Sequence, residues 1–157
     1  IFSAFAYDNN LKKIFNCNQS SPYQLDGAIR FLQGNIAADL SLVSKTMEIS
    51  YIGFAIYGRE MLSLDLITSN NDSNNKINKQ NDPNNMLTVY MNQQIELIKA
   101  PYKYSQTKNA LLWFFLFKDS FGGWGIVNLR RGIYLDNCHE QAPEVMGNII
   151  KEILKTL

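Results

Sequence analysis

The sequence predicts an α+β domain in which an antiparallel sheet of about five strands is flanked by an N-terminal and a C-terminal helix. Three observations support this prediction. Apolar residues change from helical to strand spacing near Glu48. Two apolar, aromatic-rich runs between residues 110 and 129 are joined by a glycine-containing turn, which is typical of an antiparallel hairpin. Residues 143–157 carry an apolar stripe at helical spacing.

The composition indicates a single domain, residues 1–157, with little net charge. Hydrophobic residues make up 46% of the chain, charged residues 18%, and the net charge is +1. Because this charge is small and the basic residues are scattered, we exclude nucleic acid as a partner. No apolar stretch reaches the roughly 18 residues that cross a bilayer. The chain begins with Ile1, which indicates an excised fragment, so we expect membrane attachment only through segments outside it.

The N-terminal third contains the first predicted helix. Residues 1–17 fit either the end of a helix or a hairpin that turns near Asp8. Pro22 and the two serines before it then form a helix-start signal. From Tyr23 to Thr46 the apolar residues recur every three or four positions, so we predict a core-facing helix with a weak point at Gly34.

The middle of the chain predicts strands and an insertion. Residues 49–57 form the first predicted strand, and residues 61–67 its antiparallel return after a turn at Gly58. Residues 68–85 are rich in asparagine, so they bury too little apolar area to offset the entropy lost on ordering. We therefore predict a surface insertion at 68–85.

Two further strands, at residues 87–91 and 94–98, lead into the hairpin at residues 110–129. Its two apolar faces follow from strict alternation along the first strand. These faces are Trp113, Phe115 and Phe117 on one side and Leu112, Phe114 and Leu116 on the other. One face is expected to pack on helices, and the other to be covered by a loop, a ligand or a partner.

The C-terminal helix is predicted over Pro143–Leu157. Pro143 suits a first helical turn, and Glu144 suits the positive end of the helix dipole. The apolar stripe of this helix consists of Met146, Ile149, Ile150, Ile153, Leu154 and Leu157.

Residues suited to catalysis are sparse. His139 is the one histidine, which excludes His-rich metal sites, and the neighbouring Cys138 has no identifiable orienting acid. The glycines at residues 122–125 precede a strand and lack a following Lys-Ser/Thr pair, so they do not form a phosphate loop. We predict no catalytic residue, no metal, no cofactor and no enzymatic activity.

The two cysteines, Cys17 and Cys138, allow one disulfide. In an oxidising compartment it would close a long loop, whereas in a reducing one both remain thiols. Their spacing excludes a CxxC redox or zinc motif, and the sequence leaves both states open.

Aromatic residues and a few cations indicate a candidate small-molecule site. Aromatic side chains supply contact area and a few polar groups supply orientation in such sites. The candidate ligand-binding residues are Arg59, Tyr102, Tyr104 and Trp113. Arg59 lies at a strand end, where its guanidinium could pair with an anionic ligand. The alternative is that the aromatic residues simply pack in the core.

Several motifs occur in a fixed order along residues 23–136. These are Tyr51-Ile-Gly-Phe-Ala before a turn, Ala100-Pro101-Tyr102 before a polar connector, an apolar strand, the turn at residues 119–123 and Trp124-Gly-Ile-Val-Asn-Leu129. This order resembles the extracytoplasmic PAS-like sensor domains of the Cache type found in bacterial histidine kinases, chemoreceptors and cyclic-di-GMP enzymes. Amino-acid-binding members of that family have a Trp shortly before the Pro-Tyr, where this chain has Ile95, Leu97 and Ile98.

The resemblance implies a PAS/Cache-like fold and a non-catalytic ligand-sensing domain in the periplasmic part of a membrane signalling receptor. Its partners would be a small-molecule ligand and a second copy bound through the terminal helices.

A hairpin at residues 1–17 would change the order of elements to hairpin, helix, sheet and helix. That order resembles longin- or profilin-like modules, which act as protein-interaction platforms in trafficking. The alternative function is therefore a cytoplasmic protein-interaction module.

Overall fold

The computed structural model describes residues 1–46, 48–58, 63–66, 86–91, 95–105 and 108–156, with side chains left undescribed at 63–66, 86–87 and 99–105. Strands and α-helices in these residues are β1 Phe2–Tyr7, β2 Lys13–Cys17, β3 Tyr23–Gln24, β4 Ile29–Leu32, β5 Asn35–Ala38, α1 Leu40–Val43, β6 Tyr51–Tyr57, β7 Ser63–Leu66, β8 Met86–Met91, β9 Ile95–Ser105, β10 Ala110–Lys118, β11 Trp124–Ile133 and α2 Cys138–Leu154. A 3-10 turn, Leu25–Gly27, separates β3 from β4.

The main sheet has five antiparallel strands in the order β11-β10-β6-β1-β2. This confirms the predicted α+β class and the predicted five-stranded antiparallel sheet. Two smaller sheets of three strands each, β3-β4-β5 and β7-β9-β8, accompany it. The central strand β6 pairs with β1 along one edge and with β10 along the other.

The hairpin alternative for residues 1–17 is correct. β1 and β2 pair antiparallel, with Ala6 opposite Phe15. The turn between them is held by Asp8, whose Oδ1 accepts hydrogen bonds from the backbone N–H groups of Asn10 (2.8 Å) and Lys12 (2.9 Å). These bonds add to two backbone hydrogen bonds of the same turn, from the Asp8 N–H to the Lys12 carbonyl and from the Leu11 N–H to the Asp8 carbonyl, both at 3.0 Å.

The helix predicted over Tyr23–Thr46 is wrong. This segment forms β3, β4 and β5, and its one α-helix, α1, has four residues. The chain adopts positive φ at Asp26 (56°), Gln33 (51°) and Gly34 (81°), a left-handed conformation that a right-handed helix does not include. The apolar residues instead alternate along two short strands that pair with each other, with Phe31 opposite Ile36. The predicted homodimer contact involves both terminal helices. Because the N-terminal helix is absent from the described residues, only the C-terminal helix remains for such a contact.

The strand predicted as the return of β6 pairs elsewhere. β7 lies within predicted residues 61–67, but its partner is β9, with Leu64 opposite Tyr104. Both edges of β6 are already occupied. β8 and β9 confirm the strands predicted at 87–91 and 94–98. The insertion predicted at 68–85 lies outside the described residues.

The predicted hairpin is present as β10 and β11, but its alternation is broken by a bulge. Leu112 pairs with Ala55 of β6 and Phe114 with Phe54, so Trp113 is one extra residue in β10. A bulge turns the side chains that follow it to the opposite face. As a result Trp113 and Phe114 share one apolar cluster, and the predicted grouping of Trp113 with Phe115 is wrong.

An apolar cluster lies on each face of the main sheet. The helix-side cluster contains Phe5, Tyr57 and Phe115 of the sheet and Met146 and Ile150 of α2. The opposite cluster contains Phe54, Trp113 and Phe114 of the sheet and Ile29 and Val43 from the β3–α1 segment, with Val89 and Ile98 of the β8–β9 hairpin packed against it. The sequence predicts that a loop, a ligand or a partner covers the second face of the hairpin. In the structure this face is covered by other strands of the same chain.

The C-terminal helix is confirmed, but it begins five residues earlier than predicted. Asn137 is its N-cap, and the Asn137 side chain accepts a hydrogen bond from the N–H of Glu140 (3.3 Å). Pro143 therefore lies inside α2, not in its first turn. The Pro143 carbonyl accepts a hydrogen bond from the Tyr7 hydroxyl (2.6 Å), which ties α2 to β1.

Candidate functional site

The predicted ligand site can be located only in part. Arg59 lies outside the described residues, and Tyr102 and Tyr104 are described only as backbone, in β9. Trp113 is 2% exposed, so its indole offers almost no surface to a molecule arriving from solvent. The four-residue site stays a prediction.

The aromatic side chains of Phe54, Trp113 and Phe114 pack against one another. Phe54 and Phe114 stack with ring centroids 4.4 Å apart, and Trp113 meets Phe114 edge-on at 4.8 Å. Such pairs stabilise a core beyond the apolar area they bury. At these three positions the observed contacts match the alternative considered from the sequence, in which the aromatic residues simply pack in the core.

Trp113 nevertheless has one unusual feature. Its Nε1–H is buried and has no hydrogen-bond partner among the described residues. By contrast, the Trp124 Nε1–H donates to the Ser44 hydroxyl (2.7 Å), which fixes α1 against the β10–β11 turn. Buried donors without partners are uncommon in folded proteins.

A polar network is buried at one end of β1 and β6. The Asn18 Nδ2 donates to the Ser3 hydroxyl (3.0 Å), and the Ser3 and Tyr57 hydroxyls share a further hydrogen bond (3.0 Å). Burial raises the pKa of Tyr57 above its ordinary value. Burial therefore keeps the phenol neutral near neutral pH, and the hydrogen bonds of the network tie β1 to β6.

Neither described cysteine forms a disulfide. Cys17 belongs to the cluster opposite α2, whereas Cys138 packs against the helix-side cluster. Burial raises the pKa of the Cys17 thiol to about 11 and also raises the pKa of Cys138. Both thiols are therefore poor nucleophiles near neutral pH.

The described surface carries two shallow grooves. The edge groove, about 410 Å³, lies beside β2 and is lined by Ile14, Phe15, Leu25, Thr46, Glu48 and Ile49. The helix groove, about 360 Å³, lies between α2 and the β1–β2 turn and carries Lys13, Lys151, Glu140 and Glu144 among its lining residues. The edge groove is the more apolar, with Glu48 as its charged lining residue.

The β8–β9 hairpin has an apolar end that the core does not cover. Val89 and Ile98 pack on the cluster opposite α2, and Met91 pairs with Ile95 further along the hairpin. Because Met91 is two residues beyond Val89, it lies on the same face of β8. By the same alternation Tyr90 lies on the opposite face of β8 from Met91. We call the side chains of Tyr90, Met91, Ile95 and Leu97, which surround this end of the hairpin on both faces, the hairpin-end surface; they are between 45% and 57% exposed.

The sequence gives little indication that the residues of the hairpin-end surface are exposed. Tyr90, Met91, Ile95 and Leu97 are residue types that usually occupy a core. Leu97 is an extra residue in β9, because Val89 pairs with Ile98 and the next residue, Tyr90, pairs with Glu96. No feature of the local sequence predicts this bulge.

No family model and no curated protein matches the sequence. Within the described ranges, no group of three or more His, Cys, Asp or Glu side chains is arranged to hold a metal ion. The helices in those ranges are too short or too polar to span a membrane.

Proposed function

We propose that this chain is a non-catalytic protein-binding domain whose contact site is the hairpin-end surface. The exposure of four apolar side chains around one end of the β8–β9 hairpin, on both of its faces, carries this proposal. Contiguous exposed apolar side chains mark interaction sites. Aromatic residues and Met are enriched in the buried centre of protein interfaces, and this surface contains Tyr90 and Met91.

The charge of the hairpin indicates the chemistry of the partner. Glu96 is exposed between Ile95 and Leu97 at this end of the hairpin. We therefore expect a partner protein with an apolar pocket and a basic rim. Two free thiols on opposite faces of the sheet suit a reducing compartment, so the proposed setting is the cytoplasmic one of longin- or profilin-like modules.

Site-specific photo-crosslinking tests this proposal. A photoreactive phenylalanine analogue replaces Tyr90, and in a matched control it replaces Tyr134, which lies outside the hairpin. The two tyrosines are similarly exposed, at 57% and 64%. In cells that make the protein we expect one discrete covalent adduct from position 90 and none from position 134.

The captured protein is then purified, and its affinity for the chain is measured. We expect Ile95→Lys to weaken binding by at least about tenfold, because a charge would enter an apolar pocket. Ile14→Lys on β2 should leave the affinity unchanged. Absence of an adduct at position 90, or equal weakening by both lysine variants, overturns the proposal.

A ligand-sensing domain of a membrane receptor is the second candidate function, and the edge groove favours it. A volume of about 410 Å³ falls within the range of small-molecule sites. The five-stranded antiparallel sheet is the coarse feature that supports a PAS/Cache-like assignment. Because Glu48 is the charged residue of the groove, the ligand proposed here is an amine with an apolar body.

A thermal-shift screen distinguishes this second candidate from the first. Small apolar amines should raise the melting temperature, whereas matched carboxylic acids should not. Glu48→Gln should abolish the shift, and Glu152→Gln on the exposed side of α2 should retain it. If no amine raises the melting temperature, the edge groove is not a ligand site.

A further inference from the structure

The two edges of the main sheet differ in how they are protected from pairing with another strand. β2 has five residues and begins with Lys13, directly after Lys12. Short edge strands and lysines are common means of preventing edge-to-edge association. β11 has ten residues, and its first six, Trp124–Leu129, contain no charged residue and no proline. The β11 edge is thus the unprotected one.

No strand in the described part of the chain is hydrogen-bonded to the outer edge of β11. Among the described strands β11 pairs only with β10, so alternate N–H and C=O groups of β11 point away from the sheet without a strand partner. Ile126 and Asn128 are exposed on this strand. The regular stretch ends at Arg130, where φ is 51° and the register with β10 shifts.

We propose that two copies of this chain pair antiparallel along Trp124–Leu129 to form one continuous ten-stranded sheet. A two-fold axis perpendicular to the sheet relates the copies, and both α2 helices then lie on the same face. The occupant is a second copy because an uncharged strand facing itself brings no like charges together. Arg130 and Arg131 fall at the ends of the paired stretch.

The symmetry restricts which residues meet. A two-fold axis perpendicular to the sheet keeps each side chain on its own face, so the axis passes beside a single residue, Ile126 or Val127. In the first case Ile126 faces Ile126 of the second copy, and in the second it faces Asn128. Either arrangement leaves the two Ile126 side chains directly opposite or diagonal neighbours. This surface is separate from the hairpin-end surface, so the proposal does not depend on the proposed function.

Matched substitutions on the two edges provide the test, with molar mass measured by sedimentation or light scattering. Ile126 and Ile14 are the same residue type, are both 38% exposed, and lie on opposite edge strands. We expect the unmodified chain to show twice the chain mass. Ile126→Lys should show the monomer mass, because the two lysines would lie directly opposite or diagonal to each other, whereas Ile14→Lys should remain dimeric.

A charge-swap experiment separates loss of the interface from loss of folding. Mixing Ile126→Lys with Ile126→Glu should restore the dimer mass, since opposite charges then face each other. If Ile126→Lys does not fold, Asn128→Lys and the pair Asn128→Lys with Asn128→Glu serve the same purpose. A monomeric unmodified chain, a dimeric lysine variant at β11, or equal dissociation by Ile14→Lys overturns the proposal.

Discussion

Single buried polar residues hold distant parts of this fold together. Asn109 precedes β10, and its side chain makes two hydrogen bonds with Leu135, before α2. The Asn109 Nδ2 donates to the Leu135 carbonyl, and the Asn109 Oδ1 accepts from the Leu135 N–H, both at 2.8 Å. Both residues are buried. Deleting the amide would therefore leave the Leu135 N–H without a partner and the Leu135 carbonyl with only the long contact from the Cys138 thiol (3.9 Å).

We expect Asn109→Ala to lower the free energy of unfolding by about 1–4 kcal/mol, since an orphaned buried group costs about 1–3 kcal/mol and the Leu135 carbonyl also loses its stronger donor. Urea denaturation of the purified chain measures this change. Asn148→Ala is the control, because Asn148 is exposed on α2 and alanine favours a helix. A loss below about 1 kcal/mol for Asn109→Ala would mean that the amide is not a structural tie.

At the scale of elements, the close approach of α2 to the sheet depends on a glycine in β6. A Cβ built on Gly53 would lie 2.6 Å from Cγ of Met146, which is nearer than packed carbon atoms approach. Glycine weakens a strand, and within strands it often marks a close approach by another element. Here the absent side chain makes room for Met146, which is fully buried.

We expect Gly53→Ala to destabilise the protein by about 1–3 kcal/mol through overpacking. Met146→Ala alone should cost about 2–5 kcal/mol, because it leaves a cavity. In the double variant the added methyl group occupies part of that cavity, so its cost should be smaller than the sum of the single costs. Chemical denaturation of the four proteins measures the coupling, and strict additivity would show that the two residues do not share this space.

Elements with strong, long patterns could be predicted from the sequence, and those built from short strands could not. The stripe of α2 and the β10–β11 hairpin each extend over many residues, so one period dominates. Within Tyr23–Thr46 two four-residue strands are separated by turns with positive φ, and their combined apolar spacing resembles that of a helix. Bulges are equally hidden, since the extra residue at Trp113 is visible only in the pairing with β6.

The candidate surfaces depend on the whole molecule, which is why sequence reasoning missed them. The hairpin-end surface is exposed because it lies beyond the end of the cluster opposite α2. Its residue types, taken alone, do not predict this exposure. Likewise, β11 is an edge strand because of the strand order of the sheet. Trp113, chosen from its aromatic character, lies instead in the core.

Burial of titratable groups also acts at the scale of the whole molecule, and it predicts a loss of stability in alkaline solution. Burial raises the pKa of the Cys17 thiol from 9.0 to about 11 and raises the pKa of Cys138 and of the Tyr7 and Tyr57 hydroxyls. The ordinary pKa values are 9.0 for the thiols and 10.0 for the phenols. Above about pH 9 the unfolded chain therefore loses protons that the folded chain keeps, which favours unfolding.

We expect the urea midpoint to be unaffected by these four groups up to about pH 9 and to fall progressively between about pH 9 and 11. Tyr7→Phe is the informative variant. Its midpoint at neutral pH should be lower, because the hydrogen bond to the Pro143 carbonyl is lost. Its alkaline decline should be shallower, since one of the four groups no longer titrates. A midpoint that stays constant or rises over this range, or a decline that is unchanged in Tyr7→Phe, would contradict the assignment of the pH dependence to these buried groups.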